Sequence, residues 1–289
     1  MTNANEGPRA SLLKGQPVAD AVLAEVGERV AKLAADDVPV GLGTILVGDD
    51  EASATYVRMK HDACGRLGVE SHHRHLPADA SQEDVLAVVR EFNENPAVTA
   101  YLMQHPFPRH LDFNAALLVM DPDKDADGLH PTNLGRLAND LPCPVSCTPA
   151  GIQALLMHYG IPIEGRHVVI IGRGITVGRP LSILLSQKRP NANAAVTVLH
   201  TGVADMASIA STADILIGGT GTRRLITPAM VRPGAAVVAT GVGDNHDIGP
   251  GVRAKASWVT PRFGGVGPTT VAMLLRNTVD AAERANLRQ

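Results

Sequence analysis

The segment Val168-Val-Ile-Ile-Gly172-Arg173-Gly174-Ile-Thr-Val-Gly178-Arg-Pro180 joins a short apolar run to a Gly-rich turn and then to a region with helical spacing. A buried strand followed by such a turn and a helix is typical of dinucleotide-binding folds. Glycine lets the backbone turn tightly and approach a pyrophosphate, whose charge is bound at the helix N-terminus. The spacing G-x-G-x-x-x-G is one residue wider than the common fingerprint, so by itself it also fits a turn that binds nothing.

The next predicted strand ends at His200 and Thr201 without an acidic residue. In NAD-binding folds an Asp or Glu at this place binds the ribose 2′-hydroxyl, and it would repel a 2′-phosphate. The missing acid and the loop residue Arg173 therefore favour NADP over NAD. His200 and Thr201 offer donors to the same phosphate, although His200 also fits a residue that only ends the strand. The predicted cofactor-binding residues are Gly172, Arg173, Gly174, Thr176, Val177, Gly178, His200 and Thr201.

Predicted strands and helices alternate on both sides of the Gly-rich segment. Strands are predicted at residues 41–47, 69–76, 100–104, 167–171, 195–200, 215–217 and 235–239, and helices at 18–35, 51–67, 81–92, 149–159, 177–187 and 268–284. This alternation predicts parallel sheets that are covered by helices. We therefore expect a two-domain α/β protein, with one domain at residues 1–146 and a second at 147–267. The last helix, within residues 268–289, is expected to pack back on the first domain.

The composition fits a globular protein and gives no sign of a nucleic-acid or membrane partner. The 289 residues are 45% hydrophobic and 19% charged, with a formal net charge of −3. This charge gives no general attraction to nucleic acid or anionic membrane, and no apolar run approaches the roughly 18–20 residues that cross a bilayer. Three cysteines are too few for a disulfide framework, and the N-terminus lacks a signal pattern. We expect a cytoplasmic protein.

A lysine on the second predicted helix is the first candidate for proton transfer. Ser53, Tyr56 and Lys60 are spaced three and four residues apart, so they share one face of that helix. A lysine that is held away from water titrates closer to neutral pH and can then act as a general acid or base. The alternative is a lysine that extends to solvent, and the spacing alone favours this alternative.

Two further polar segments follow predicted strands. Gln104 ends the strand at 100–104, where an amide could hold an amine or a water without adding charge; an edge glutamine that faces solvent is the alternative. The segment from Asp121 to His130 has four aspartates within seven residues, which resembles a calcium loop. Lys124 inside it, and the lack of a glutamate at the required position, argue against calcium. One of its carboxylates could instead bind a guanidine-like heterocycle.

Other potential metal ligands do not form a convincing set. Among His72, His73 and His75, only His73 and His75 face the same side of a strand, and no third ligand is evident. Cys143 and Cys147 lack a second pair, so neither zinc binding nor catalysis is assigned to them. We expect no metal.

Six motifs, in order along the chain, carry a resemblance to a known family. They are Ser53-x-x-Tyr56-x-x-x-Lys60, Gln104-x-Pro106-x-Pro108, Lys124-Asp-Ala-Asp127-Gly128, Cys147-Thr-Pro-x-Gly151, Gly172-Arg-x-x-x-Val-Gly178-x-Pro180 and Gly264-Gly-Val-Gly-Pro-x-Thr270. Together they resemble the bifunctional methylenetetrahydrofolate dehydrogenase/methenyltetrahydrofolate cyclohydrolase family. The resemblance implies an N-terminal catalytic domain, a C-terminal Rossmann-type NADP-binding domain with the folate between them, and a homodimer. It implies oxidation of 5,10-methylenetetrahydrofolate with NADP and hydrolysis of the methenyl product to 10-formyltetrahydrofolate.

The resemblance also implies roles for individual residues. Lys60 would be the general acid/base of hydrolysis, and Gln104 would tune it. Tyr56 would stack on or position the folate, Asp127 would bind the pterin, and Ser53 would support this group. Arg173 would bind the 2′-phosphate. The implied substrate-binding residues are Ser53, Tyr56, Asp127, Gly264, Gly265, Pro268 and Thr270.

Four positions depart from the family pattern: His105, Gly174, Thr240 and Phe263. His105 and Phe263 could reshape the folate site, and Gly174 removes one phosphate donor. A diverged or monofunctional dehydrogenase is therefore one alternative. A shikimate-dehydrogenase-like NADP oxidoreductase is a second alternative, and a catalytically inactive nucleotide sensor is a third. The shikimate-type enzyme would explain the Gly-rich loop but not the set of Tyr56, Lys60, Gln104 and Asp127.

Overall fold

The computed structural model describes residues 10–287, apart from the side chain of Ala52. Two compact units are found in it: the first unit contains residues 20–147 and 271–287, and the second contains 10–19 and 148–270. The strands are β1 (Ser11–Leu12), β2 (Gly41–Val47), β3 (Glu70–Leu76), β4 (Ala100–Met103), β5 (His167–Ile171), β6 (Ala195–Leu199), β7 (Ile215–Gly218), β8 (Ala236–Ala239) and β9 (Trp258–Val259). The helices are α1 (Gln16–Ala35), α2 (Glu51–Leu67), α3 (Gln82–Glu94), α4 (Phe113–Val119), α5 (Pro131–Ala138), α6 (Cys147–His158), α7 (Gly178–Ser186), α8 (Met206–Ala210) and α9 (Val266–Asn286). None of the helices within residues 10–287 combines the length and apolar character of a membrane span.

The first unit is built on a three-stranded parallel sheet with the order β3-β2-β4. Alternate residues of its central strand, β2, face opposite sides because successive side chains of a strand point in opposite directions. Ile45 and Val47 pack with residues of α3 and α4, including Val89, in one apolar cluster. Thr44 faces the other side, where it meets a side chain of α2. Helices therefore cover both faces of this small sheet.

The second unit contains a six-stranded parallel sheet with the order β1-β9-β8-β7-β5-β6. Along β5, Val168 and Ile170 belong to one apolar cluster, whereas Val169 and Ile171 belong to another. Both faces of the strand are thus buried, which explains its unbroken apolar sequence. The parallel sheets and their covering helices confirm the expected α/β class with two domains.

Local sequence signals account for several helix boundaries. Ser81 caps α3: its hydroxyl accepts a hydrogen bond from the Asp84 backbone N–H at 3.2 Å, and its own N–H donates to the Asp84 carboxylate at 2.8 Å. This is the capping box that the sequence indicates. Asp50 caps α2 in a similar way, and Gly68 ends α2 in the left-handed conformation with a φ of 74°.

Two terminal segments have non-local partners. The two-residue strand β1 pairs with β9, so residues 10–19 group with residues 148–270, whereas the sequence prediction assigned 1–146 to a single domain. Helix α9 belongs to the second unit up to Thr270 and to the first unit from Val271 onward. In the first unit, Asn277 of α9 donates from Nδ2 to the backbone oxygens of Ala126 and Val145, each at 2.9 Å.

Candidate active site

A direct contact between Lys60 and Gln104 lies at the carboxyl end of the first unit's sheet. Lys60 is on α2, which follows β2, and Gln104 directly follows β4, the neighbour of β2. Lys60 Nζ donates a hydrogen bond to Gln104 Oε1 at 3.0 Å. The other end of the amide is also held, because Gln104 Nε2 donates to the backbone oxygen of His105 at 2.9 Å. The amide oxygen is therefore fixed toward the amine, and the lysine is only partly exposed.

The three residues that the sequence placed on one face of α2 differ in burial. Ser53 is buried, and its backbone N–H donates to Asp50 Oδ1 at 2.7 Å. The Ser53 hydroxyl and N–H lower the pKa of the Asp50 carboxyl by hydrogen bonding. Tyr56 is 47% exposed, so much of its ring is available to a ligand. This helix face therefore runs from a buried anchor at Ser53 to a half-exposed tyrosine and then to the partly buried Lys60.

Asp125 and Asp127 have different roles in the acidic segment. Asp125 is buried, and its carboxylate accepts hydrogen bonds from the N–H groups of Gly128 (2.9 Å) and His130 (2.7 Å) and from Asn133 Nδ2 (3.0 Å). Burial raises the pKa of Asp125, and these hydrogen bonds oppose the increase. Asp127 is half-buried, and within residues 10–287 its carboxylate accepts no hydrogen bond. Asp125 thus holds the loop together, while Asp127 has an uncommitted carboxylate.

The buried thiol of Cys147 lies within electrostatic reach of both Asp127 and Lys60. Its pKa is raised chiefly by desolvation, is raised further by the charge of Asp127 and is lowered by the charge of Lys60. Cys147 Sγ donates to the Ala126 backbone oxygen at 3.3 Å, so the thiol itself is a packed structural group. Neither zinc binding nor catalysis is expected of Cys147 from its sequence.

The remaining aspartates of the acidic segment have structural partners. Asp121 accepts a hydrogen bond from the Asp123 backbone N–H at 2.9 Å. Asp123 forms an ion pair with Arg136 at 2.8 Å. Among the residues that the structure describes, no group of three or more His, Cys, Asp or Glu side chains could hold a metal ion.

The Gly-rich loop of the second unit has the geometry of an anion site. Gly172 ends β5 with a φ of 123°, a conformation that L side chains rarely adopt. A Cβ at Gly178, the first residue of α7, would lie 2.1 Å from the Gly172 backbone oxygen, so only glycine permits this close turn. Arg173, Gly174 and Thr176 are exposed, whereas Val177 is buried. The Arg179 N–H of α7 donates to the Gly174 backbone oxygen at 3.1 Å, and Pro180 has no N–H, so the loop presents its exposed residues 173–176 at the positive end of the α7 dipole.

His200 and Thr201 lie beside the Gly-rich loop. They follow β6, which pairs with β5, and Gly172 N–H donates to the backbone oxygen of Leu199 at 2.8 Å. His200 Nδ1 accepts the N–H of Gly202 at 3.1 Å. One ring nitrogen of His200 therefore stabilises the local turn, as the alternative interpretation of this residue expected, while Thr201 is exposed.

The last implied ligand group, Gly264–Thr270, forms the start of α9 in the second unit. Gly264 is exposed and accepts a hydrogen bond through its oxygen from Gly15 N–H at 2.8 Å. Gly265 is buried, whereas Pro268 and Thr270 are half-buried. The Thr270 hydroxyl lies 3.3 Å from that of Thr148. These residues belong to the second unit, whereas Lys60 belongs to the first.

Three of the four departures from the family pattern have side chains that contact neighbouring groups, and the fourth, Gly174, is exposed. The His105 ring packs edge-on against Phe113, with ring centroids 5.4 Å apart, and only its backbone oxygen contacts Gln104. Phe263 is 65% exposed, and the Arg262 guanidinium lies over its ring at 5.5 Å. The Thr240 hydroxyl donates to the Gly218 backbone oxygen at 3.0 Å. None of these contacts displaces the amide from Lys60.

Two family models match the chain along most of its length. The catalytic domain of tetrahydrofolate dehydrogenase/cyclohydrolase matches residues 13–127, and the NAD(P)-binding domain of the same family matches residues 146–286. The chain belongs to the tetrahydrofolate dehydrogenase/cyclohydrolase family. This membership confirms the resemblance carried by the six motifs, and it favours the folate enzyme over the shikimate-dehydrogenase-like alternative.

Named relatives of the tetrahydrofolate dehydrogenase/cyclohydrolase family cover nearly the whole chain. A bifunctional protein FolD of Syntrophotalea carbinolica is 54% identical over 279 residues, which are 95% of this chain and 96% of that protein. The crystal structure of the bifunctional enzyme FolD from Campylobacter jejuni is 36% identical, with a TM-score of 0.91 over 96% of this chain and 99% of that one. A Trypanosoma brucei enzyme of the same name, solved with NADP and an inhibitor, is 34% identical, with a TM-score of 0.88 over 97% of this chain and 99% of that one.

Proposed function

We propose that this protein oxidises 5,10-methylenetetrahydrofolate with NADP and then hydrolyses the methenyl product to 10-formyltetrahydrofolate. The observation that carries the proposal is the hydrogen bond between Lys60 Nζ and Gln104 Oε1, 3.0 Å long, inside the part of the chain that matches the family's catalytic domain. The match to an NAD(P)-binding domain and the relatives named as bifunctional enzymes support both activities. These reactions place the enzyme in one-carbon metabolism.

Lys60 is the general acid/base of the hydrolytic step in this proposal. Water adds to the methenyl carbon and must lose a proton, and ring opening requires a proton on the departing nitrogen. An amine can take up the first proton and return the second. Gln104 accepts a hydrogen bond from the amine without contributing a negative charge, so it orients Nζ and stabilises an ammonium less than a carboxylate would.

The folate is bound by the side chains around this pair. Asp127 is half-buried and its carboxylate accepts no hydrogen bond within residues 10–287, so we assign it to accept hydrogen bonds from the pterin. The half-exposed ring of Tyr56 offers a stacking surface on the same helix as Lys60. Ser53 fixes the start of that helix. We assign Gly264, Gly265, Pro268 and Thr270 of the second unit to the same ligand on the family's motif.

NADP, when bound, accepts the hydride that leaves the methylene carbon. The residues of the second unit fit this cofactor: Gly172 and Gly178 permit the tight turn between β5 and α7, and the N-terminal end of the α7 dipole favours a phosphate. Arg173 is exposed beside this loop and is assigned to the 2′-phosphate; Thr201 is assigned as a neighbouring donor. Gly174, Thr176 and Val177 complete the loop, and His200, which stabilises the turn after β6 through the Gly202 N–H, is assigned with Thr201 to the same phosphate.

A spectroscopic assay on one preparation tests the proposal. Formation of the methenyl product is followed with NADP and with NAD in parallel, and its hydrolysis is followed separately without either cofactor. We expect both activities and a preference for NADP. Turnover in the first assay without hydrolysis in the second would identify a monofunctional dehydrogenase. Failure of both assays with tight NADP binding would support the inactive nucleotide sensor.

We also propose that the enzyme is a cytoplasmic homodimer. The cysteines in the described part of the chain are all free thiols, two of them buried, which fits a reducing compartment. Light scattering coupled to gel filtration measures the mass directly. A mass near twice 30.3 kDa is expected, and a monomer at micromolar concentration would contradict the proposal.

A further inference from the structure

A cluster of polar side chains connects the lysine-bearing helix α2 to the sheet of the first unit. The Thr44 hydroxyl of β2 is fully buried. Its oxygen lies 3.0 Å from His61 Nε2 of α2 and 2.8 Å from His73 Nδ1 of β3. The two imidazole rings meet edge to face, with centroids 5.3 Å apart. We call these three residues the Thr44 triad. Neither the possible metal site at the histidines nor the family motifs predicts this contact.

The Thr44 hydroxyl can bond to both imidazoles only if it donates to one ring and accepts from the other. A hydroxyl has a single proton, so it can donate to one imidazole nitrogen and must accept an N–H from the other. If both facing nitrogens carried a proton, the hydroxyl proton would lose its acceptor inside a buried site, which costs free energy. The triad is therefore complete while at least one ring is neutral and presents an unprotonated nitrogen to the hydroxyl.

The charged groups around the Thr44 triad also disfavour imidazolium. Desolvation is the main cause of the lowered pKa of both His61 and His73. Lys60 on α2 and Arg74 on β3 add positive charge, and the neighbouring His75 lowers the pKa of His73; Asp62 alone opposes them at His61. His75 itself contacts the Gly48 oxygen and Asp49, and Arg58, bonded to Thr55, lines the same cavity. Protonation of both rings would thus gather several like charges.

A solvent-open cavity of about 300 Å³ lets protons reach the Thr44 triad. His61, His73 and His75 line it together with Arg58 and Ser71. His61 is accordingly half-buried and His73 is exposed, while the Thr44 hydroxyl between them is fully buried. The triad can therefore respond to the pH of the solvent without unfolding of the unit.

Helix α2 depends on the Thr44 triad because few of its side chains are otherwise buried. Among its described side chains only Ser53, Val57, Ala63 and Cys64 are buried, and His61 directly follows Lys60. A small displacement of α2 would change the 3.0 Å contact between Lys60 Nζ and Gln104 Oε1. A misplacement of about 1 Å can cost about a hundredfold in rate.

We propose that Thr44, His61 and His73 are positioning residues that hold α2, and with it Lys60, in the catalytic geometry only while at least one of the two imidazoles is neutral. The enzyme then loses hydrolytic activity reversibly in mildly acidic solution through release of α2. This inference rests on the proposed role of Lys60, but the state of the triad can be measured without turnover.

The test compares pH profiles of methenyl hydrolysis for four proteins: wild type, Thr44→Val, Thr44→Ser and the double variant His61→Gln/His73→Asn. Valine has the shape of threonine without the hydroxyl, so kcat at pH 7.5 is expected to fall about tenfold. Serine keeps the hydroxyl and is expected to restore kcat. The glutamine and asparagine amides can occupy the ring-nitrogen positions without titrating, so the acidic limb of the double variant is expected to move below that of wild type.

Backbone amide exchange in α2, followed by mass spectrometry at pH 5.0 and 7.5 with correction for the intrinsic rate, provides the readout without turnover. Because the pKa of both histidines is lowered, exchange of residues 54–64 is expected to accelerate at pH 5.0 in wild type, at both values in Thr44→Val, and at neither in the double variant. Wild-type kcat in Thr44→Val, or an unshifted acidic limb in an active double variant, would overturn the proposal. If wild type does not hydrolyse the methenyl substrate but exchange follows this pattern, the proposed function fails and the triad stands as a pH-dependent anchor of α2. If exchange in α2 is the same at both pH values and in all variants, the triad proposal fails as well.

Discussion

Substitution of Gln104 by glutamate changes one charge at the centre of the site and almost nothing in shape. The carboxylate would face Lys60 Nζ at the distance that the amide oxygen has now, 3.0 Å. With an effective dielectric constant of about 20, Coulomb's law sets an upper limit of about 5 kcal/mol on the attraction. Since the lysine is partly exposed, screening reduces this to about 1.4–4 kcal/mol, or about one to three pH units in favour of the ammonium.

The expected result of Gln104→Glu is a cyclohydrolase that requires higher pH. The pH at which kcat reaches half of its maximum should increase by about one to three pH units. Activity at pH 7.5 should therefore fall by about ten- to a thousandfold. Methylene oxidation, which depends on the orientation of ligands, should change far less. Gln82→Glu is the matched control, because Gln82 lies in the first turn of α3, where its amide contacts the Asp112 backbone oxygen.

The assay is the rate of disappearance of the methenyl absorbance between pH 6 and pH 10 for wild type and both variants. If Gln104→Glu has the wild-type profile, the amide does not govern the protonation of Lys60. If Gln82→Glu shifts the profile as far as Gln104→Glu does, the effect is a general consequence of added charge.

Three other perturbations test separate parts of the molecule. Arg173→Ala is expected to raise KM for NADP by about ten- to a hundredfold while changing KM for NAD little, and equal changes for both cofactors would refute its assignment to the 2′-phosphate. Asn277→Ala removes the donor to two backbone oxygens at 2.9 Å, so the free energy of unfolding measured in urea should fall by about 2–4 kcal/mol. The control Asn286→Ala in the same helix should lower it by less than about 0.5 kcal/mol. The hydrogen bond from Arg29 lowers the pKa of Glu283, so its stabilisation is complete above the unfolded pKa of about 4.5 and is lost as pH falls through the lower folded value. Because both side chains are partly exposed, Arg29→Met should remove only about 0.5–1 kcal/mol at pH 7 and less at pH 3, and an equal loss at both pH values would contradict the ion pair.

Local patterns in the sequence were sufficient to predict much of the fold. Residues 41–47 and 167–171 are strands with the expected bounds, since each is an apolar run closed by a turn. The helix start at Ser81 follows from a capping box that needs only Asp84, three residues away. The expectation that His73 and His75 share a face is confirmed by their ring contact, with centroids 6.3 Å apart.

Elements whose stability comes from distant partners were missed. Strands β1 and β9 have two residues each; β1 pairs with β9, and β9 pairs also with β8. Helix α5 begins at an unusual cap, His130, whose Nδ1 accepts the Thr132 N–H at 3.0 Å. Neither the two-residue strands nor the His130 cap shows the periodic pattern by which a helix or strand is identified from sequence.

The same limit applies to the candidate site. Helical spacing could place Ser53, Tyr56 and Lys60 on one face, but the contact from Lys60 to Gln104 spans 44 residues, and only the order of the strands brings the two together. The Thr44 triad was missed because its members lie on three different elements, and a threonine within an apolar strand has no distinctive pattern.

The most direct test of the central claim is the pair of activities of Lys60→Met on one preparation. Methionine keeps much of the side-chain volume and removes the amine, so hydrolysis of the methenyl substrate is expected to be abolished while NADP-dependent oxidation of methylenetetrahydrofolate continues. Lys188→Met, at an exposed position of the second unit, is the matched control and should keep both activities. Full hydrolytic activity in Lys60→Met would contradict the assignment of this lysine as the acid and base of the reaction.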